Sequence, residues 1–449
     1  MWDEQCLDGT EKEKSHPLYF FSYHFPLPAS FFRFIMSLSL VSIVSQTTLA
    51  ELGRASNTRK IFEESNQRRQ THGSDVCDFS LGNSVVSPPQ AFREALQQIS
   101  LDPPSNVHSY LPTTGLPQLR ENIAKCLTKW HNVEISKDCV LMACGASAAI
   151  NIVLHTILPA DSEVIIPTPC FGEYIRYVEN MRCKVVLVPC LPNYELDVEA
   201  IRAAINDKTR VILLNNPNNP TGKVYSQKTL VDLSKVLMDV FEHRKETTPD
   251  NPSPVFLLSD EIYRLIHYDQ STPIFSTFAA YPYSFLVSSF AKDFALPGER
   301  IGYICISPAL VDQCLIDALS SSTRVLGYVG CPSMMQHVLC KCLENGFDYA
   351  PVLAEYRKRR DRLHAILLDA GLQCPLPEAA VYLFPKVPEG VTDKEFADLL
   401  RAQNVFVVPG SSFLDPTSVR LAFCVDMDVI EKSAPKIKLA TQQARAHHN

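Results

Sequence analysis

The stretch FLVSSFAKDFALPGERIGYICI occupies residues 285–306. Two apolar runs, FLVSS (285–289) and IGYICI (301–306), flank a segment that carries Lys292 and Arg300. Neither run alternates apolar with polar residues, so each reads as a strand buried on both faces, as in a mostly parallel sheet covered by helices. The same texture recurs upstream in CVLMAC (139–144), EVIIP (163–167), KVVLVP (184–189), RVILLN (210–215) and VFLLSD (255–260). Helical spacings lie between these runs: PQLRENIAKCLTKW puts Leu119, Ile123, Leu127 and Trp130 on one face. The pattern predicts an α/β domain.

After about residue 340 the texture changes. EYRKRRDRLHAILL predicts a long helix whose basic run at 357–362 is a solvated face. Short strands are expected at 381–384 and 405–408, with a helix at 393–403 between them and a last strand near 420–424. Together these make a smaller α+β unit. HRKETTPDNPSP (243–254) reads as a surface loop ahead of a strand.

A chain of 449 residues, 46% apolar and 20% charged, has room for two or three domains. Its net charge of −7 and the lack of a basic tract argue against a nucleic-acid partner. The 15 cysteines show neither Cys-x-x-Cys nor a zinc spacing, which predicts reduced, mostly buried thiols in a cytosolic-type compartment, and no metal. Residues 1–36 are expected to be a disordered or apolar extension, upstream of an alternative start at Met36. Pro26, Pro28 and Arg33 interrupt LYFFSYHFPLPASFFRFI (18–35), and the clean apolar run falls short of the roughly 20 residues a bilayer needs. A membrane or organelle address is the alternative reading of that extension.

Four clusters fall at or just beyond predicted strand ends, where ligands bind in open α/β sheets. NNPNNPTG (215–222) is a rigid turn that fixes an amide side chain. Asp260 ends VFLLSD, and a carboxylate at a buried strand tip calls for a cation or donors; a helix N-cap at Ser259 or Asp260 is the plainer reading. Lys292 follows an apolar run, where partial desolvation favours the neutral amine that condenses with an aldehyde, although taken alone its plainer reading is an ordinary surface or snorkelling lysine. Ser289 and Arg300 beside it suit a phosphate. CGASA (144–148) opens a helix with small residues that leave backbone N–H groups free for an anion. Taken together the clusters describe a pyridoxal phosphate site: an amine for the aldehyde, an acid for the pyridine nitrogen, neutral donors for the 3-hydroxyl, and a nest with a guanidinium for the phosphate.

NNPNNPTG, SDEIY, SFAKDFALPGERIGY and the arginine of SVRLAF, in that order, resemble the class I/II aminotransferases of fold type I, the aspartate aminotransferase-like enzymes, over roughly residues 50–435. The resemblance implies a seven-stranded, mostly parallel sheet in a large cofactor domain (85–340) with helices on both faces. It also implies a smaller domain from residues 341–449 and an N-terminal arm (37–84). Lys292 falls on the family's Schiff-base lysine and Asp260 on the carboxylate facing the pyridine nitrogen. Asn219 and Tyr263 match the donors to the 3-hydroxyl; Ser289, Arg300 and the backbone at Ala146 and Ser147 match the phosphate ligands. Phe171, in PTPCFGEY, sits where the family stacks a ring on the pyridine, with core packing as its plainer reading. Tyr110 resembles the tyrosine that reaches the neighbouring subunit's phosphate, which implies a homodimer. Arg420 matches the grip on the substrate α-carboxylate, and Gly82 a contact to the same carboxylate from the arm.

Two departures lie near the substrate. Only LDPTSV separates Phe413 from Arg420, and SLGNSVV replaces the usual glycine–x–proline after the arm. The implied activity is transfer of an amino group from an L-amino acid to a 2-oxo acid by a ping-pong route, in the cytoplasm. The alternatives are a lyase or synthase of the same fold and, from another class, a non-catalytic protein on this scaffold.

Overall fold

The structure, a computed structural model, describes residues 44, 45, 48, 57–250, 252–344 and 346–446. Expectations for residues 1–36 lie outside the described residues. In the unit Met1–Ala55, the hydroxyl oxygens of Ser45 and Thr48 are 2.9 Å apart. The three β-sheets of the described residues lie in the unit Ser56–Asn449.

Strand β1 (Cys77–Asp78) precedes the apolar runs, which fold as β2 (Val140–Ala143), β3 (Glu163–Thr168), β4 (Lys184–Pro189), β5 (Thr209–Asn215), β6 (Phe256–Asp260), β7 (Ser284–Ser289) and β8 (Gly302–Ile306). They form one seven-stranded sheet in the order β2-β8-β7-β6-β5-β3-β4. Both faces are buried along the other six strands, but the edge strand β4 leaves Lys184, Leu187 and Pro189 exposed, so its unbroken apolar run does not mark burial on both faces. Along β5, Val211 and Leu213 pack into one apolar cluster while Ile212 and Leu214 pack into another. Each such fully buried side chain contributes roughly 1.5–3 kcal/mol relative to exposure. Strand β8 runs antiparallel to both of its neighbours. The connection from β7 holds only the short helix Phe290–Asp293 and a turn, so no crossover helix carries the chain back for a parallel pairing.

Strand order reverses between β3 and β5, because the chain passes to β4 on one side and then to β5, β6 and β7 on the other. Brought level there are the carboxyl ends of adjacent strands: Asn215 pairs with Asp260, and Asp260 with Val287. A crevice opens beyond such a switch point.

The smaller C-terminal domain is built on β9 (Tyr382–Leu383), β10 (Val405–Phe406), β11 (Val408–Pro409) and β12 (Val419–Ala422), with β12 antiparallel between β11 and β9. Strand β1 pairs with β10, and Phe79 extends the ladder: its N–H donates to Phe406 O at 2.9 Å and its carbonyl accepts from Ala422 N at 2.9 Å. This pairing carries Ser80 and Gly82 alongside β12.

Two sequence expectations need correction. The basic run at 357–362 is not a uniformly solvated face, since Arg359 and Arg360 are buried in the helix Ala350–Asp369. The Arg360 guanidinium lies 4.2 Å from the Tyr268 ring centroid, and Arg357 donates to the Tyr268 carbonyl. Long cationic stems cover an aromatic ring there rather than reaching for water. Residues 243–247 extend the helix Gln227–Thr247 instead of forming a loop. No helix breaker arrives before Pro249, which disfavours helical geometry at Thr248.

Candidate active site

Asp260, at the tip of β6, is 5% exposed. Its Oδ2 accepts from the Tyr174 hydroxyl at 2.7 Å and its Oδ1 from Ile262 N at 3.2 Å. No helix starts at that point, so the N-cap alternative does not hold; the bond to Ile262 closes a turn. Burial pushes the Asp260 carboxyl up to about 6, against the pull of those two hydrogen bonds. Among the described residues no lysine, arginine or histidine pairs with it. Tyr174, fully buried with this carboxylate, is held well above the ordinary phenol range by burial first and by Asp260 second, so the shared proton stays on the oxygen of Tyr174.

The turn after β5 is tied to the same strand tip. Asn215 Nδ2 donates to the Asp260 carbonyl at 3.0 Å, and its Oδ1 accepts from Asn219 N at 2.7 Å. Asn219 Oδ1 in turn accepts from Arg420 Nη1 at 3.0 Å. Arg420, on β12 and 2% exposed, also donates from Nη2 to Ser80 O at 2.7 Å, while its Nε is buried without a partner. Its charge is desolvated, which lowers its pKa, and no carboxylate of the described residues neutralises it.

Ser289 caps the short helix that carries Lys292, accepting from Ala291 N at 3.3 Å. Half-buried, Lys292 donates through Nζ to the carbonyl of Gly82. A glycine is required at position 82: a Cβ there would run into the Tyr382 hydroxyl and come within 3.3 Å of Lys292 Nζ. Tyr382 and Tyr263 share a hydrogen bond of 3.0 Å. Burial, then Tyr382, holds the Tyr263 phenol well above its usual range.

At the other end Arg300 adopts φ 52°, a left-handed backbone that a non-glycine residue rarely takes. Its guanidinium bonds only to carbonyls, Nη1 to Pro297 O at 3.0 Å and Nη2 to Cys144 O at 3.3 Å. Gly145, at φ 86°, opens the helix Ala146–Ile157 with no side-chain cap, and a Cβ on it would sit 2.8 Å from Arg300 Nη2. The first N–H groups of that helix and a guanidinium without an acidic partner therefore meet at one point. Ala146 is buried there and Ser147 exposed. Phe171 is half-buried and stands edge-on to Tyr174, ring centroids 5.4 Å apart. Tyr110 is 95% exposed and lines, with Ser147 and Arg300, a cavity of about 760 Å³.

Sequence reasoning passed over three residues in this network. Tyr174 follows Phe171 by three positions, a helical spacing that brings its polar tip back to the strand ends. Tyr382 lay hidden inside an apolar strand signal, VYLF. Phe413 entered only as a marker of loop length, yet its ring centroid lies 4.5 Å from the Arg420 guanidinium. The short LDPTSV connection closes through Asp415, whose carboxylate accepts from Thr417 N at 3.0 Å and whose N–H donates to Gly410 O at 3.0 Å.

Among the described residues the strand ends thus offer a carboxylate lacking a protein cation, a guanidinium and helix N-terminus lacking a protein anion, and an amine on the Gly82 carbonyl near the Tyr382 phenol. These residues fit pyridoxal phosphate, whose ring nitrogen is a base and whose tail is a dianion. Fold and donor set define a pyridoxal-phosphate enzyme of fold type I. The family model "Aminotransferase class I and II" matches residues 74–437, and the chain belongs to that family. A probable aspartate aminotransferase of Methanocaldococcus jannaschii is 28% identical over 376 residues, 81% of this chain and 93% of that protein. Among solved structures, an amino transferase from Eubacterium rectale superposes with a TM-score of 0.80 at 30% identity, covering 89% of this chain and 99% of that one. The aspartate aminotransferase of Thermus thermophilus with maleate gives 0.76 at 26% identity, over 86% and 96% of the two chains. The protein is a pyridoxal-phosphate-dependent aminotransferase, a transferase acting between amino acids and 2-oxo acids. No described helix is long and apolar enough to cross a membrane.

Proposed function

We propose that Lys292 is the residue that binds the cofactor and moves the proton, and that the enzyme works by a ping-pong exchange as a homodimer in the cytoplasm. The observation that carries this reading is the arrangement of charges: a buried carboxylate at 260 and a guanidinium at 300 that no described residue neutralises, with Lys292 on the short helix that follows β7, the strand beside Asp260. When bound, pyridoxal phosphate supplies an aldehyde that joins to amines and a protonated ring that accepts the electron pair left on the substrate α-carbon.

Each residue then has a defined task. Lys292 Nζ would hold the cofactor through its aldehyde and, when free, would carry the α-proton of the substrate. Asp260 keeps the ring nitrogen protonated, and Tyr174 fixes the orientation of its carboxylate. Asn219 and Tyr263 donate to the 3-oxygen. Ser289, Arg300 and the N–H groups at Ala146 and Ser147 hold the phosphate, while Phe171 covers one face of the ring. Arg420 binds the α-carboxylate in plane through two parallel hydrogen bonds, beside Gly82. The near-complete exposure of Tyr110 in one chain supports a contact with the phosphate of a second copy. We take residues 85–340 as the large part and 341–449 as the small part, the small part closing over bound substrate.

An amino-donor panel tests the reading. Purified protein is loaded with cofactor and mixed with aspartate, glutamate, alanine or an aromatic amino acid in single turnover. Conversion to the pyridoxamine form, reversed by a 2-oxo acid, is the expected result. Ammonia release with no lasting pyridoxamine form from any donor contradicts it and points to a lyase. Arg420→Lys is expected to raise KM for the best donor about 10- to 100-fold with a smaller change in kcat, because the planar fork that holds the carboxylate is lost. Steady-state kinetics against donor concentration check this.

A further inference from the structure

Tyr382 is 3% exposed and touches both halves of the site. Its ring centroid lies 4.3 Å from the Arg420 guanidinium, and that of Phe413 lies 4.5 Å from the same group. Two aromatic rings thus lie against the guanidinium, while its N–H rim makes the hydrogen bonds. That rim already bonds to Asn219 and Ser80, which fixes its rotation about the Cζ axis. The hydroxyl of Tyr382, at the far end of the same side chain, sits against Gly82 beside Lys292 Nζ and shares the 3.0 Å bond with Tyr263.

We infer that Tyr382 is a positioning residue that joins the α-carboxylate grip to the proton-carrying centre, its ring orienting Arg420 and its hydroxyl donating to Tyr263. The direction of that bond follows from Tyr263's own task. If Tyr263 spends its hydrogen on the cofactor's 3-oxygen, its oxygen must accept, and the neighbour able to donate is Tyr382. A donor behind Tyr263 strengthens the bond that Tyr263 makes. It thereby favours negative charge on the 3-oxygen and disfavours a proton on the Lys292 nitrogen that shares it. This inference rests on the proposal that Lys292 holds the cofactor.

Two substitutions separate the two actions. Tyr382→Phe keeps the ring and removes only the hydroxyl. The pH midpoint of the bound cofactor's visible absorbance, which reports the proton at the Lys292 nitrogen, is expected to rise by about half a unit. The dissociation constant of propionate, an unreactive carboxylate, should stay within about twofold of wild type. Tyr382→Leu removes the ring as well: the midpoint shift is retained, and propionate binds about 5- to 30-fold more weakly. Tyr382→Met, which fills more of the space, carries the same measurement if the leucine variant is not recovered folded. An unmoved midpoint in Tyr382→Phe, or unchanged propionate affinity in the variants lacking the ring, overturns the inference. Failure of the underlying proposal looks different, because lysine-linked absorbance would then be absent from wild-type protein or would persist in Lys292→Ala.

Discussion

Lys292→Ala protein is expected to fold, to bind the cofactor without a covalent link, and to transaminate at least about 10⁴-fold more slowly than wild type. The substitution removes the group that makes and breaks the link and also the only described amine beside Gly82, whose carbonyl then faces a small cavity. Folding should survive because Lys292 is half-buried on a four-residue helix held by Ser289 and by packing of Phe290 and Phe294, not by its own side chain. Added methylamine, entering the cavity, should restore part of the proton transfer. Single-turnover rates with and without the amine, alongside thermal melting, check each part. A variant within tenfold of wild-type activity contradicts the assignment.

Asp260→Asn carries the second large effect, and its sign differs between apo and loaded protein. In the folded apo chain burial holds the carboxyl up at about 6, whereas the unfolded chain returns it to about 3.9. A folded value above the unfolded one means that this group favours the native state below about pH 4. The benefit is lost as pH rises through about 6, leaving an ionised carboxylate without a cation at neutral pH. Apo Asp260→Asn should therefore be more stable than apo wild type at pH 7.5, by roughly 1–3 kcal/mol, with the gap closing near pH 4. The lower end allows for one donor, Tyr174 or Ile262 N, losing its acceptor. Saturating cofactor reverses the order, because only the carboxylate pairs with a protonated ring. The loaded variant should also lose about 10²–10⁴-fold in kcat. Chemical denaturation with and without cofactor at the two pH values tests the reversal; an apo variant less stable than apo wild type at pH 7.5 contradicts the charge argument.

Strands were the most legible part of the fold. A buried parallel strand has no polar face to hide, so runs such as EVIIP and RVILLN announce themselves, whereas KVVLVP has the same texture yet forms the largely exposed edge strand β4. The direction of β8 was less visible, because an antiparallel return depends on what the connecting segment fails to contain. Arginine placement was misread at 357–362: charge alone suggests solvent, but Tyr268 supplies a flat apolar face to which a guanidinium stacks. In the site, residues beyond strand tips were readable since their types are odd for their positions, as with Asp260 after VFLLS and Lys292 after FLVSSFA. Tyr174, Tyr382 and Phe413 were not, because tyrosine and phenylalanine in apolar segments look like core until tertiary contacts show what their tips and faces meet.

Borohydride reduction of the cofactor-loaded protein, with peptide mass mapping of the product, tests the central claim most directly. The account predicts a phosphopyridoxyl group on the peptide containing residues 288–300, attached at Lys292 and absent from Lys292→Ala. A reduced adduct at another lysine, or none in protein that has bound the cofactor, would contradict it.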